Sequence, residues 1–408
     1  MSESSRGRAE PSAGRPESER ERASDRTRER ESASELQALH LPHFDSNPYQ
    51  ANLAAALEDR GVSVTLASGY PLRTVRTVAS EGVPDVVHLH WISPYLVADG
   101  RLRSVAKAAV FLVGLLLARL VGTRVVWTAH NLVEHERRRP EFERFCKRHL
   151  VRRVFDRVFV HWPSARRRLA AEYDLSGDER ADLVTIPHGH YAADYDDEID
   201  RRTARERLGL GPEEFVFLYF GRIRPYKQVP ELVEAFGRLD ADARLVVAGN
   251  ATDDELRERV ADRADADDRV LSVLEYVPDE DVQTYMNAAD AVVFPFRDIF
   301  TSGSVLLAMS FGNAVVAPAS GCLPDVVGEA GGVLYDSKKS GASNSSESSD
   351  RSDDSDRPDN LTRAMREILS QDAAAMGRRN YETAVGYSWD DAAGRTAAAY
   401  ADLLAESW

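Results

Sequence analysis

The sequence predicts an α/β protein with two doubly wound domains, each built on a parallel β-sheet. Short apolar runs rich in β-branched residues alternate with helical runs, which is the pattern of strand, helix and parallel strand. The alternation stops in a polar stretch near residues 191–205 and then resumes, so it occurs twice. With 408 residues, 43% of them hydrophobic, the chain is long enough for two cores of ordinary size.

The predicted strands are short and follow one another in the order that two parallel sheets require. In the first half they are 84–91, 123–128, 155–161 and 182–187, and in the second half 215–220, 243–248, 270–275, 290–295 and 314–318. Ligands of open parallel sheets bind beyond the carboxyl ends of the strands. The residues that follow each strand are therefore the candidates for binding and chemistry.

Two segments of low complexity flank or interrupt these domains. Residues 1–35 alternate Arg, Glu and Ser, and residues 336–360 are rich in Ser and Asp, so neither can bury enough apolar surface to fold. We expect a disordered tail and a disordered insertion. We place the first domain at 36–200, joined by a C-terminal helix within 386–408, and the second at 201–385.

Composition excludes several classes of protein. The formal net charge is -15, and only five of the 52 basic residues are lysine, which suggests a proteome adapted to high salt. We expect no nucleic-acid partner, because proteins that bind nucleic acid carry a basic surface.

The sequence shows no sign of a metal site or a disulfide. Cys146 and Cys322 lack the spacing of a zinc site or a disulfide framework, so a reducing compartment is expected. Asp-x-Asp occurs at 194–196, 240–242 and 265–267, which is chance in an Asp-rich chain and predicts no metal.

The most apolar segment runs from Val105 to Gly122. Lys107 and Arg119 are separated by 11 residues, which as a helix is ~16 Å long against a hydrocarbon core of ~30 Å, so it cannot span a bilayer. Two alternatives are a buried crossover helix and an in-plane helix that touches lipid. Residues 101–168 hold 17 Lys or Arg and 5 Asp or Glu, which favours contact with anionic headgroups. We expect a cytoplasmic protein with peripheral contact at the inner face of the membrane.

The strongest local motif is FGRIRPYKQVPELVEAF, residues 220–236. A predicted buried strand ends at Phe220, Gly221 gives the turn room, and Arg222 and Lys227 follow before an amphipathic helix. Two cations at the carboxyl end of a strand can bind a diphosphate. A solvated basic turn is the alternative.

At these residues the chain resembles the retaining GT-B glycosyltransferases, especially glycosyltransferase family 4. The resemblance extends over residues 36–408 and includes the motif above and four further segments: 41–57 (LPHFDSNPYQANLAAAL), 281–296 (DVQTYMNAADAVVFPF), 302–318 (SGSVLLAMSFGNAVVAP) and 387–404 (YSWDDAAGRTAAAYADLL). It implies two Rossmann-like domains that face a central cleft. A nucleotide-sugar donor would bind in the second domain through Arg222 and Lys227, and a glycan or lipid-linked acceptor in the first. Transfer with retention is implied, and neither a cofactor nor a metal is expected.

The chain departs from the family at two positions. Family members commonly carry two glutamates eight positions apart beside the donor sugar, and here those positions are Ile299 and Leu307. Asp298 is one position away and is a candidate replacement. We expect four residues at the start of the next helix to hold donor phosphate or ribose by amides and hydroxyls: Thr301, Ser302, Gly303 and Ser304. An ordinary N-cap cluster is the alternative.

Histidines follow several strands of the first half. The resemblance implies that His130, in WTAHNLVEHE, lies at the reacting sugar, and imidazole suits hydrogen bonding there. His90 and Trp91, in VHLHW, are expected on the acceptor side, as is Asn47. The IPHGHY segment at 186–191 matches a turn near the hinge of the family. His135 and Glu136 lack the second histidine of a zincin, because position 139 is Arg.

The missing glutamates leave two alternatives to a glycosyltransferase. One is a catalytically silent GT-B subunit that binds a nucleotide or a partner enzyme. The other is a different GT-B enzyme, such as a nucleotide-sugar epimerase, which would consume no acceptor.

Overall fold

Two parallel β-sheets organise the computed structural model, which describes residues 36–44, 47–68, 83–134, 138–175, 181–336 and 357–406. These residues contain twelve strands. They are β1 Leu36–Leu41, β2 Val62–Leu66, β3 Val86–Leu89, β4 Arg124–Thr128, β5 Arg157–Val160, β6 Asp182–Thr185, β7 Phe215–Phe220, β8 Ala243–Ala248, β9 Val270–Val273, β10 Ala291–Val293, β11 Ala314–Pro318 and β12 Gly332–Tyr335. The predicted tail and nearly all of the predicted insertion lie outside the described residues.

Each sheet has six strands, and the strand orders are β2-β1-β3-β4-β5-β6 and β12-β11-β10-β7-β8-β9. Neighbouring strands run parallel, as in the register that pairs His40 with His88 and Phe217 with Ala291. The order reverses between β1 and β3 in the first sheet and between β7 and β10 in the second, and crevices for ligands open at such points. The predicted fold class, two doubly wound parallel sheets, is confirmed.

Helices cover the sheets and connect successive strands. In the described part of the chain they are α1 Pro48–Glu58, α2 Ser93–Leu96, α3 Arg101–Leu120, α4 Pro140–Arg153, α5 Pro163–Glu172, α6 Arg201–Leu208, α7 Val229–Gly237, α8 Asp254–Ala264, α9 Val282–Ala288, α10 Gly303–Ser310, α11 Leu323–Val327, α12 Arg357–Ile368, α13 Ala373–Val385 and α14 Trp389–Ala405. Several begin at side-chain caps, such as Asp253, which accepts from the Leu256 amide over 2.9 Å.

The strands not predicted from the sequence are β2 and β12. Both lie at the edge of a sheet, next to only one other strand. Most residues of β2 are only partly buried, and β12 contains Gly332, so neither reads as a continuous apolar run. The family resemblance of 41–57 implies the first strand, a loop and a helix within that segment, but β1 ends at Leu41, so the first strand lies earlier than expected.

The apolar helix α3 connects β3 to β4, but it is not buried. Its buried residues are Ser104, Phe111 and Leu115, on one narrow face. Eight large apolar side chains of α3 are exposed: Leu102, Val105, Val110, Leu112, Val113, Leu116, Leu117 and Leu120. The buried-helix alternative is therefore wrong for most of α3. Among the described helices, none combines the length and the apolar character needed to cross a membrane.

The last helix, α14, returns to the first sheet. The Tyr400 hydroxyl lies 2.5 Å from His88 Nδ1 and 3.2 Å from His40 Nε2, on β3 and β1. Arg157, at the start of β5, donates to the carbonyl oxygen of Ala399 over 2.9 Å. The end of the chain thus holds together the strands from which the candidate site is built.

Candidate active site

A cavity of about 230 Å³ lies where the carboxyl-end loops of the two sheets meet. The first half of the chain and the segment after β6 supply Asn47, Tyr49, Trp91, His130, Asn131, His188 and Tyr191. The second half supplies Tyr226, Lys227, Phe296, Ile299, Thr301, Ser302, Gly303 and Ser304. Both strand-order reversals contribute loops to this cavity, which is the position expected of a ligand site in such sheets.

His130 and Trp91 form one wall. Their rings stack with centroids 4.4 Å apart and an interplanar angle of 17°. His90 lies behind them, fully buried, with Nδ1 3.2 Å from His130 Nε2. Asn47 caps α1, its side chain accepting from the Tyr49 amide over 3.1 Å. These contacts fix the direction in which the His130 ring faces the cavity.

Lys227 and Ser304 face the turn after β7. Gly221 there has φ +114°, a conformation that favours glycine. A Cβ at Gly221 would lie 3.7 Å from Lys227 Nζ and 3.9 Å from Ser304 Oγ, so the ammonium and the hydroxyl lie around one point of the backbone. A cation and a hydroxyl arranged in this way can bind a phosphate group.

The start of α10 closes the cavity on the same side. Ser302 caps this helix, and its hydroxyl accepts from the Val305 amide over 3.4 Å. A Cβ at Gly303 would lie 3.1 Å from the Tyr191 hydroxyl, so this glycine lies close to that tyrosine. The free amides and the dipole at the start of a helix favour a bound anion.

Lys227 is a buried cation with an unusual pKa. Burial, and then the charges of Arg224 and Arg222, lower the pKa of the Lys227 ammonium to about 7. Its side chain also lies near aromatic rings, with Nζ 5.7 Å from the centroid of Phe296. A bound anion would favour the protonated form, because it offsets the lost hydration and the repulsion from the arginines.

Neutral imidazoles also line the cavity. Burial, followed by the charges of neighbouring histidines, holds the pKa of His130 well below its usual range. Burial lowers the pKa of His188 to about 3. Both rings pack against Tyr49, with centroids 4.8 Å from its ring. At neutral pH these histidines therefore offer both a hydrogen-bond donor and an acceptor to a ligand.

Most of the residues singled out from the sequence meet at this cavity: Asn47, Trp91, His130, Lys227, Thr301, Ser302, Gly303 and Ser304. Three do not line it. Arg222 is exposed, although its charge acts on Lys227. His90 lies behind His130, and Asp298 pairs with Arg168 over 2.5 Å. Ile299 does line the cavity, so the first missing glutamate is replaced there by an apolar side chain.

Sequence reasoning missed several aromatic residues of the lining. Each lies within a segment already singled out, but an aromatic residue at such a position is more often part of a core. They are Tyr49, Tyr191, Tyr226 and Phe296. His188 had a usable signal, because it ends a strand as His130 does. None of the described residues that line the cavity carries a carboxylate. The site therefore combines one cation, neutral imidazoles, hydroxyls and amides.

The family whose description is "Glycosyl transferases group 1" matches residues 200–375. The GDP-mannose:glycolipid 4-beta-D-mannosyltransferase of Xanthomonas campestris is 28% identical over 313 residues, which are 74% of this chain and 79% of that protein. The D-inositol 3-phosphate glycosyltransferase of Corynebacterium aurimucosum is 28% identical over 343 residues, with 78% and 72% of the two chains covered.

Among solved structures, sucrose-phosphate synthase from Thermosynechococcus elongatus superposes with a TM-score of 0.69. It is 18% identical, and the match covers 91% of this chain and 99% of that one, so this likeness concerns the fold. Fold, family match and relatives agree with one another. The chain has the fold of the GT-B glycosyltransferases, its residues 200–375 match the glycosyl transferases group 1 family, and the relatives that match about three quarters of its length are glycosyltransferases.

Proposed function

We propose that the protein transfers a hexose from a nucleotide-sugar donor to a lipid-linked acceptor at the surface of a membrane. The observation that carries the proposal is the arrangement of Lys227 and Ser304 around Gly221, across one cavity from His130. GDP-mannose is the first donor to test, because the Xanthomonas relative is named for it. Membership of family 4 is part of the proposal.

In this proposal the donor diphosphate lies against Lys227 and the start of α10. Negative charge grows on the leaving diphosphate during transfer, and the Lys227 ammonium stabilises it together with the amides of Gly303 and Ser304. Arg222 is exposed beside this site and adds a second positive charge. These groups supply the charge that a divalent metal supplies in other glycosyltransferases, so no metal is needed at the diphosphate.

His130 lines the same cavity and is proposed to contact the reacting sugar or the acceptor hydroxyl. When its Nε2 accepts from His90, the neutral imidazole carries its proton on Nδ1 and can donate a hydrogen bond to a sugar or hydroxyl oxygen. The family resemblance implies transfer with retention, which we keep as the working proposal. The relative is named for a β-linked product, so the anomeric configuration of the product, read by NMR, is the measurement that decides it.

The acceptor and the site of action are proposed from α3. Leu102 and Leu120 are 87% and 81% exposed, and six further large apolar side chains of the same helix are exposed between them. The surrounding segment, 101–168, has 17 basic and 5 acidic residues in a chain of net charge -15. An amphipathic helix with basic neighbours binds anionic lipid surfaces by apolar burial and charge together. Contact with the inner face of the cytoplasmic membrane would bring a glycolipid acceptor to the first domain.

The test is transfer from radiolabelled GDP-mannose or UDP-glucose to lipid extracts in molar KCl, with and without anionic vesicles. Label in the lipid phase supports the proposal. Conversion of the donor to another nucleotide sugar without an acceptor would indicate an epimerase. Stabilisation by a nucleotide without turnover on any extract would favour the silent subunit.

A further inference from the structure

We infer that His40, His88 and His90 form a binding site for a divalent transition-metal ion of the Zn²⁺ type, separate from the diphosphate site. His40 and His88 lie on the neighbouring strands β1 and β3, where they pair in register, and His90 directly follows the end of β3. The rings of His88 and His90 lie with their centroids 4.3 Å apart. One ring nitrogen of each histidine lies within 4.8 Å of the other two.

The hydrogen bonds around these rings leave lone pairs unused. His40 Nδ1 and His90 Nε2 are buried and have no hydrogen-bond partner among the described residues. The Tyr400 hydroxyl contacts both His40 Nε2 and His88 Nδ1. If Tyr400 donates to His88 and accepts from His40, then His40 carries its proton on Nε2, and its Nδ1 is a bare lone pair.

The same assignment extends to the other two rings. His88 then donates from Nε2 to Thr128 Oγ1, over 2.6 Å. When His90 donates from Nδ1 to His130 Nε2, 3.2 Å away, its Nε2 is also a bare lone pair. Each of the three histidines thus has an outer partner on one nitrogen: Tyr400, Thr128 or His130. A ligating histidine is usually oriented by such a hydrogen bond on its other nitrogen.

The three histidines are almost completely buried, which favours a shared metal ion over three separate imidazole rings. The exposed fractions of His40, His88 and His90 are 0%, 0% and 1%. Three imidazole nitrogens are a donor set that suits Zn²⁺, Co²⁺, Ni²⁺ and Cu²⁺, whereas Mg²⁺ and Ca²⁺ prefer oxygen. Binding at ~2.0–2.1 Å from each nitrogen requires small ring rotations and replaces the bond from Tyr400 to His88.

The inferred site lies directly behind the reaction cavity. His90 joins it to His130, which stacks on Trp91 at the cavity wall. A bound ion would therefore hold His130 in place through His90 and leave the donor phosphates to Lys227. It would also connect β1 and β3 to α14 through Tyr400.

The test uses the full chain without a histidine tag, dialysed against a chelator and titrated with Co²⁺. We expect visible cobalt absorption that saturates at one ion per chain, its displacement by Zn²⁺, and a rise in melting temperature with either ion. Elemental analysis of protein purified without chelator should detect about one transition metal per chain. Thr128→Val should weaken Co²⁺ binding ~10- to 100-fold, because it removes only an outer partner.

The matched variants are His40→Asn and His149→Asn. His149 is exposed on α4 and contacts the Phe145 carbonyl, so its loss should leave cobalt binding unchanged, whereas His40→Asn should abolish it. Unchanged binding in a folded His40→Asn variant would overturn the assignment. If that variant does not fold, the wild-type titration decides, since absorption that never saturates at one ion would also reject the site.

Discussion

Thr301 donates a hydrogen bond from Oγ1 to the carbonyl oxygen of His130 over 3.0 Å. This bond joins the loop before α10, which follows the second sheet, to the segment after β4 in the first. It therefore sets the distance between the groups that we assign to the donor and the histidine that we assign to the reacting sugar. A second link on the same side is the pair of Arg168 and Asp298.

Replacing Thr301 with valine should slow transfer without preventing folding. The variant keeps the shape of the side chain but removes a hydrogen bond worth about 0.5–1.5 kcal/mol, so kcat/KM should fall ~2- to 13-fold. Thr301→Ser keeps the hydroxyl and is the matched control. Steady-state kinetics on both variants test the link, and equal rates for the wild type and the valine variant would show that the bond does not position His130.

Lys227→Gln should weaken binding of the nucleoside diphosphate. The variant loses a charge-assisted hydrogen bond of about 1.5–3 kcal/mol, which corresponds to a ~10- to 150-fold loss of affinity. Thermal unfolding with GDP, UDP and ADP measures this and also identifies the base. Arg263→Gln, which removes a partly exposed positive charge from α8 outside the cavity, is the control for the loss of net charge. Equal affinity of the Lys227 and Arg263 variants would remove Lys227 from the donor site.

The affinity for the diphosphate should also fall as the pH rises above about 7. In the free protein the Lys227 ammonium has a pKa of about 7, mainly because it is buried. A bound anion raises that pKa, so binding above pH 7 must take up a proton, whereas below pH 7 the group is already charged. The contribution of Lys227 to diphosphate affinity should therefore be constant below pH 7. Above pH 7 the affinity should fall up to tenfold per pH unit.

Calorimetry in two buffers of different ionisation enthalpy at pH 8 should detect uptake of nearly one proton per diphosphate, and Lys227→Gln should abolish it. Proton uptake on diphosphate binding that persists in the Lys227→Gln variant would assign the uptake to another group.

The lowered pKa of Lys227 also affects the stability of the protein. Between pH 7 and 10.5 the unfolded chain holds the proton and the folded chain does not, so this group makes the free energy of unfolding rise with pH over that interval.

The sequence was most informative where residues follow buried strands. Lys227, His130 and the residues 301–304, which line one cavity, could be singled out because a strand end and a helix start are both visible in the local pattern. The pairing of Asp298 with Arg168 could not be predicted, because Arg168 lies 130 positions away in the sequence. The histidine cluster was missed for the same reason, since His40 and His88 become neighbours only when β1 pairs with β3. Local sequence patterns thus indicate candidate site residues, whereas contacts between residues far apart in the sequence decide which candidates lie together.

The exposed apolar face of α3 should bind anionic vesicles, and a single charge on it should weaken that binding. Leu116 and Leu117 are each about half exposed, and burying a leucine in lipid contributes about 1.5–3 kcal/mol, so Leu117→Asp should reduce vesicle partitioning ~10- to 150-fold. Leu404→Asp is the control, because Leu404 is 40% exposed on α14, outside the basic segment. Sedimentation with vesicles measures the effect, and raising KCl should remove only the electrostatic part, since the Debye length falls from ~10 Å at 0.1 M to ~3 Å at 1 M. Equal losses for the two variants would show that α3 is not the membrane surface, and self-association of the wild type that Leu117→Asp abolishes would assign this face to a second copy of the chain.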